Sequence, residues 1–245
     1  MNNIKCLSSF DIKIIAFVTM IIDHIAVFFY YFFNEEMYDI LRAIGRISMP
    51  LFVFLIYQGF KHTSSINKYK RRLLILAVLT QILQIIIGII INSIYPDYSV
   101  YFYEKINIIF SLYILLNIFS ILDIIKNKNS KDRERLFGGV LIIIISLLYC
   151  FLNIEYGLVV PIIGICIYCI DKLKNNYKKV IITFLGIVSY MAIYIHQPLG
   201  FFAFISIIFM ILYNGKKGPN LGRIFYVLYP IHINILYIIG AILSK

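Results

Sequence analysis

The chain has 245 residues, 61% of them hydrophobic, with a mean hydropathy of +0.88. Soluble domains run at about 45–50% apolar, so this composition excludes a soluble enzyme and marks an integral membrane protein. The formal net charge of +11 raises a nucleic-acid partner, but the placement of the charges along the chain argues against one.

Apolar runs bounded by charge predict an all-α, polytopic transmembrane bundle of about nine spans: 12–33, 41–60, 73–94, 106–125, 136–152, 156–170, 180–195, 199–213 and 224–243. The runs 156–170 and 199–213 are short, and fit tilted pairs, re-entrant segments or helices shielded by neighbours. If the N-terminus is cytoplasmic and the spans alternate, 19 of the 23 Lys and Arg fall on the inner side: Lys5, Lys13 at the inner end of the first span, and those in segments 61–72, 126–135, 172–179 and 216–223. Only Arg42, Arg46, Lys105 and Lys245 lie elsewhere. That is the positive-inside pattern, with the N-terminus cytoplasmic and the acidic stretch Asn34–Asp39 outward. The first run lacks a small-residue cleavage site and is expected to stay as an anchor. No loop is long enough to fold alone, so residues 1–245 are expected to form one membrane domain.

Cysteine adds little. Cys6 precedes the first run, Cys150 lies in the fifth, and Cys166 and Cys169 lie in the sixth, where a C-x-x-C spacing without βαβ context reads as packing rather than redox chemistry. No Cys/His spacing suits a metal, and there is no Gly-rich phosphate loop.

The chemistry concentrates in the first two runs. Asp23 and His24 stand side by side at bilayer depth, where each ionisable group costs roughly 2.5–3.5 kcal/mol and marks either function or interhelical glue. Arg42 and Arg46, four apart, share one helix face, and Asp23 is their nearest counter-charge in depth. Gln81 and Gln84 share a face of the third run, Asn107 opens the fourth, His196-Gln197-Pro198 forms an outward turn, and His232 lies beside Pro230 near Tyr229. These residues suggest a buried polar chamber containing Gln81, Asn107, Tyr229 and His232 around the Asp23–His24–Arg42–Arg46 centre. Lys13 and His24 are eleven apart, three helical turns, so they share a face about 16 Å apart along the axis. Asp23 points roughly 100° away and is not expected to orient His24 directly. A ligand with an anionic head in the cytoplasm and a long reactive arm suits the Lys13–His24 face, and coenzyme A has that shape.

The chain resembles the TraX family of bacterial membrane proteins, named for F-pilin acetylation. The resemblance rests on Ile22-Asp23-His24-Ile25, on Leu41-Arg42-Ala43-Ile44-Gly45-Arg46 through Pro50, and on Gln58-Gly59-Phe60-Lys61-His62-Thr63. It continues through Tyr69 to Arg72, Gln81, Asn107, Glu155-Tyr156-Gly157 and Phe225 to His232. That family is similar to the larger membrane acyltransferase superfamily, in which a Lys or Arg, ten intervening residues and a His carry the reaction; Lys13 and His24 match that spacing. The resemblance implies a multi-pass protein of the bacterial cytoplasmic membrane. It would move an acetyl group from cytoplasmic acetyl-CoA to an amine or hydroxyl of an extracytoplasmic acceptor, a pilin-like peptide or an envelope glycan. His24 would be the general base, and Arg42 or Arg46 would stabilise the oxyanion. Lys13, Lys61, His62, Arg71 and Arg72 would hold the CoA phosphates, although the positive-inside rule alone also explains that ring. The role of Glu155 stays open, and so does the oligomeric state, a homodimer included. No nucleic acid and no metal are expected. The rival readings are a proton-coupled transporter or flippase and a non-enzymatic assembly factor; the lack of repeated halves speaks against the former.

Overall fold

The computed structural model describes residues 5–98, 100, 102–127, 131–172, 198–219 and 222–244. Among these the regular elements are helical: α1 (Ser9–Phe28), α2 (Glu35–Gly45), α3 (Ser48–His62), α4 (Ile66–Ile94), α5 (Ile108–Lys126), α6 (Asp132–Phe151), α7 (Val159–Lys172), α8 (Ile205–Ile211) and α9 (Gly222–Leu243), with short 3-10 turns between some of them.

Four stretches are long and apolar enough to cross a bilayer: Glu35–His62, Ile66–Ile94, Ile108–Lys126 and Ile224–Leu243. Helix α1 has the length, 20 residues, but carries Asp11, Lys13 and Asp23. Helix α6 gives its first turn to Asp132, Arg133, Glu134 and Arg135. The predicted runs at 156–170 and 199–213 appear as the shorter apolar helices Val159–Asp171 and Leu199–Ile211. The run expected at 180–195 lies outside the described residues, as do His196 and Gln197 of the predicted outward turn.

The predicted second span, 41–60, falls within the stretch Glu35–His62, which is interrupted at Arg46–Ile47 between α2 and α3. Pro50 has no N–H to bond the carbonyl of Arg46, and its ring crowds that turn, so the helix breaks at Arg46–Ile47 and restarts at Ser48. Helix starts elsewhere are also written locally. Ser8 and Asp11 form a capping box on α1, in which the Ser8 hydroxyl accepts from Asp11 N–H (3.3 Å) and Asp11 Oδ2 accepts from Ser8 N–H (2.8 Å). Asn34 Oδ1 accepts from Met37 N–H (2.8 Å) to cap α2, and Asn107 caps α5.

Helix α1 packs on α2, α3 and α9; α3 packs on α5 and α7; α4 packs on α5 and α9. The main apolar core, around Ile12, Leu51, Leu115, Phe119 and Ile163, lies where α1, α3, α5 and α7 cross. A second cluster joins Phe28, Ile91, Tyr98 and Tyr237. Helix α4 turns Ile75, Leu79, Ile82, Ile86 and Ile89 outward, the apolar exterior expected of a lipid-facing helix.

Two connections tie distant parts of the chain to helix starts. The segment after α8 pairs with the chain just before α1: Leu7 N–H donates to the Leu212 carbonyl (3.0 Å) and Ser9 N–H to that of Lys216 (2.8 Å). Gly215 (φ 80°) and Gly218 (φ 71°) take the left-handed conformations this turn needs. The turn between α6 and α7 lies along the start of α5, where Glu155 N–H donates to the Ile106 carbonyl (2.9 Å) and Glu155 Oε2 accepts from Ile108 N–H (3.1 Å).

Candidate functional site

Asp23, 6% exposed in the C-terminal half of α1, is clamped by both predicted arginines. Arg42 Nη1 lies 2.8 Å from Oδ2, and Arg46 Nη2 donates to Oδ1 at 3.0 Å. Arg46 Nε also donates to the Arg42 carbonyl (3.2 Å), which closes the cluster. The i, i+4 spacing makes this possible, because it aims both guanidinium groups from one face of the α2 end. With both oxygens of Asp23 occupied, the carboxylate orients the arginines, and the cluster keeps one net positive charge.

His24 faces another way, as its offset from Asp23 requires. Its Nδ1 lies 3.0 Å from Nε2 of His232 on α9, and the two rings stack at 5.2 Å with an 18° tilt. His232 Nδ1 lies 2.9 Å from the Leu228 carbonyl one turn earlier. Arg42 and Arg46 stand within electrostatic range of His24.

The Lys13–His24 face of α1 is lined by a matching stripe of α9. Lys13 Nζ sits 5.3 Å over the Phe225 ring, Phe17 packs edge-on against Phe225 (5.6 Å) and His232 (5.2 Å), and Tyr229 packs edge-on against His232 (5.5 Å). Spacings of four and three along α9 put Phe225, Tyr229 and His232 on one face. Beside this ladder opens a cavity of about 730 Å³, lined by Lys13, His62, Arg72 and Lys217 among its polar residues and by Phe52, Leu55, Leu76, Leu112 and Tyr229 among its apolar ones. Ligand pockets commonly measure about 300–1,000 Å³. No carboxylate lines this one among the described residues, so its charge suits an anion.

The other predicted site residues scatter. Arg71 lines a smaller neighbouring pocket of about 280 Å³ with Thr63, Ser65, Lys68 and Arg72. Lys61 does not join the cavity: its Nζ bonds Asp171 of α7 at 3.0 Å, and Tyr57 donates to the same carboxylate (2.9 Å). Gln81 and Asn107 bond each other, with Gln81 Oε1 accepting from Asn107 N–H (2.8 Å) and Nδ2 (3.0 Å), which fixes α5 against α4 and not the imidazole pair. Lys217, absent from the predicted ring, lines the cavity with Lys13, His62 and Arg72. Its signal in the sequence is Asn214-Gly215-Lys216-Lys217-Gly218, two lysines held between turn glycines.

Glu155 is the second residue whose role only the structure gives. Besides capping α5, it interacts electrostatically with Asp23 and Arg46, and burial pushes its carboxyl up to about 7. Tyr156 follows at φ 62°, a left-handed conformation rare for a bulky residue and a mark of local strain. Inside the bundle, Thr80 Oγ1 and Gln84 Oε1 on α4 and Asn234 Oδ1 on α9 are buried without protein hydrogen-bond partners, capacity left for water or a polar substrate group.

A helical membrane protein with a basic cavity, free of carboxylates among the described residues and lying beside a pair of imidazoles, is the class that these observations define. Compared with known proteins, residues 8–240 match the family model described as TraX protein, and the chain belongs to the TraX family. A relative in Dichelobacter nodosus named "Probable fimbrial assembly protein FimC, serogroup H1" is 38% identical over 74 residues, 30% of this chain. The chain spans 30% of the length of that relative. No solved structure matches.

Proposed function

We propose that this protein is a membrane-embedded acetyltransferase that takes acetyl-CoA from the cytoplasm and transfers its acetyl group to an amine or hydroxyl presented from the other side. The observation that carries the reading is that the cavity, with Lys13, His62, Arg72 and Lys217 in its wall and no carboxylate among the described residues, meets the His24–His232 pair through Tyr229, which lines the cavity and packs edge-on against His232. The phosphates of CoA match the cations, the pantetheine arm matches the apolar wall, and the thioester would reach the imidazoles.

The acceptor N–H or O–H gives its proton to His24 as its heteroatom attacks the thioester carbonyl carbon. The residual positive charge of the Arg42–Asp23–Arg46 cluster favours the oxyanion that develops there. Collapse breaks the C–S bond, the CoA sulfur recovers the proton from His24, and the acetylated acceptor departs. Asp23 neutralises one of the two guanidinium charges, which limits repulsion of the transient imidazolium.

The relative's name adds a second consideration: a fimbrial or pilus context would make the acceptor a pilin-like polypeptide, or make the protein a non-enzymatic assembly factor. Purified protein separates these readings. An acetyltransferase binds acetyl-CoA and releases free CoA when given acceptor, and His24→Ala lowers transfer by roughly 10²–10⁴-fold while leaving acetyl-CoA binding intact. A parent protein that neither binds nor turns over acetyl-CoA, or a His24→Ala variant as fast as the parent, overturns the reading.

A further inference from the structure

Two polar contacts of His232 together determine the state of His24. His232 Nδ1 lies 2.9 Å from the Leu228 carbonyl, which can only accept, so Nδ1 of His232 carries a proton. In a neutral ring the other nitrogen, Nε2, is then bare and must accept. Its partner at 3.0 Å is Nδ1 of His24, which therefore donates, leaving Nε2 of His24 as an unprotonated lone pair. The neighbouring rings Phe17, packed on His232, and Phe28, packed on His24, are apolar and offer the pair no anion. We propose that His232 is a positioning residue: through the chain Leu228 carbonyl, His232, His24, the backbone of α9 holds His24 in the tautomer whose Nε2 is free to take the acceptor's proton.

The helix supports this assignment. His232 lies two residues after Pro230 in α9, and Tyr229 and Phe17 both meet its ring edge-on, at 5.5 Å and 5.2 Å. The ring is therefore held from two sides while its nitrogens point along the hydrogen-bond chain. Backbone to orienting imidazole to basic imidazole follows the same logic as any base held by a third group. Here the third group is a carbonyl rather than a carboxylate. It adds no negative charge at bilayer depth, where one would be costly.

The proposal rests on the reading of His24 as the base, so its test uses a readout that does not depend on catalysis. Protein labelled with ¹⁵N-histidine, reconstituted in lipid and assigned with single His substitutions, reports by NMR which nitrogen of His24 bears the proton. The expected result is a proton on Nδ1 in the parent and in His232→Gln, whose side-chain oxygen can replace the acceptor. In His232→Phe, which keeps the ring volume but has no acceptor, the proton should move to Nε2. Transfer assays should then show kcat of His232→Phe down by about 10²-fold with KM for acetyl-CoA unchanged, and His232→Gln largely restored. A proton on Nε2 of His24 in the parent, or the same tautomer in all three proteins, overturns the proposal. The predicted tautomer shift combined with a fully active His24→Ala protein would instead overturn the catalytic reading while leaving the hydrogen-bond chain in place.

Discussion

Gly45 and Asp23 meet so closely that a Cβ on residue 45 would lie 2.1 Å from the carboxylate oxygen Oδ1. No side chain fits there, and it is this approach of α2 to α1 that lets Arg42 and Arg46 grip both oxygens of Asp23. Gly45→Ala should force the helices apart and lower the thermal stability of the solubilised protein by about 1–3 kcal/mol, the usual range for overpacking. A melting temperature equal to the parent's would show that the clamp tolerates a wider spacing.

The clamp itself is open to a mutant cycle. Asp23→Asn leaves two guanidinium groups buried and unpaired, a loss of about 3–5 kcal/mol by analogy with other broken buried pairs. Removing all three charges, with Arg42→Gln and Arg46→Gln added, should destabilise less than Asp23→Asn alone. Additive losses across the set would reject the coupling.

At the cavity mouth, Lys217→Gln and Arg72→Gln should each weaken acetyl-CoA binding. An exposed ion pair is worth about 0.2–1 kcal/mol, roughly a two- to fivefold effect, and it should fade as salt shortens the Debye length to about 3 Å at 1 M. Lys61→Gln should leave affinity unchanged, because Lys61 is tied to Asp171 outside the cavity. Calorimetric titration at two salt concentrations checks all three, and a loss at Lys61 equal to that at Lys217 would dissolve the distinction.

Glu155 predicts a pH dependence of stability. Its carboxyl, at 4.5 when free and pushed to about 7 by burial, holds its proton more tightly in the folded protein. The folded state therefore binds more protons than the unfolded one between those values, and stability should fall as pH rises from about 4.5 to 7. Glu155→Gln, which stays neutral, should flatten that slope in thermal melts. A slope unchanged by the substitution would assign the effect to other groups.

Orientation is checked by reporter fusions. Fusions after Lys68 and Asn129 should report the cytoplasm, and fusions after Glu36 and Asp97 the opposite side, as the bias of Lys and Arg requires. An inverted pair at any position would redraw the spans around it.

Much of the site was legible because helical spacing is a local rule. The shared faces of Lys13 with His24 and of Arg42 with Arg46, and the divergence of Asp23 from His24, follow from 3.6 residues per turn, and each reappears in the structure. Periodicity says nothing, however, about which helix comes to lie opposite. Asp23 found both arginines because a single nearby acid at that depth left little choice. Lys61 is misplaced by sequence reasoning for the reverse reason, since a lysine at a helix end has many possible partners and Asp171 is 110 residues away. The predicted second span lies within Glu35–His62, and its interruption at Arg46–Ile47, just before Pro50, follows from the N–H that proline lacks.

Composition and charge order by themselves determined that this is a helical membrane protein, and local spacing determined which side chains share a face, because both depend on transfer free energy and helix geometry close in sequence. The tertiary structure decided what those faces meet: α9 placing His232 on His24, the turn at Gly215–Gly218 carrying Lys217 to Lys13, and the turn after α6 bringing Glu155 to Asp23 and Arg46. Contacts between residues some 110 to 210 positions apart arise from how whole helices pack, and no period in the chain encodes them.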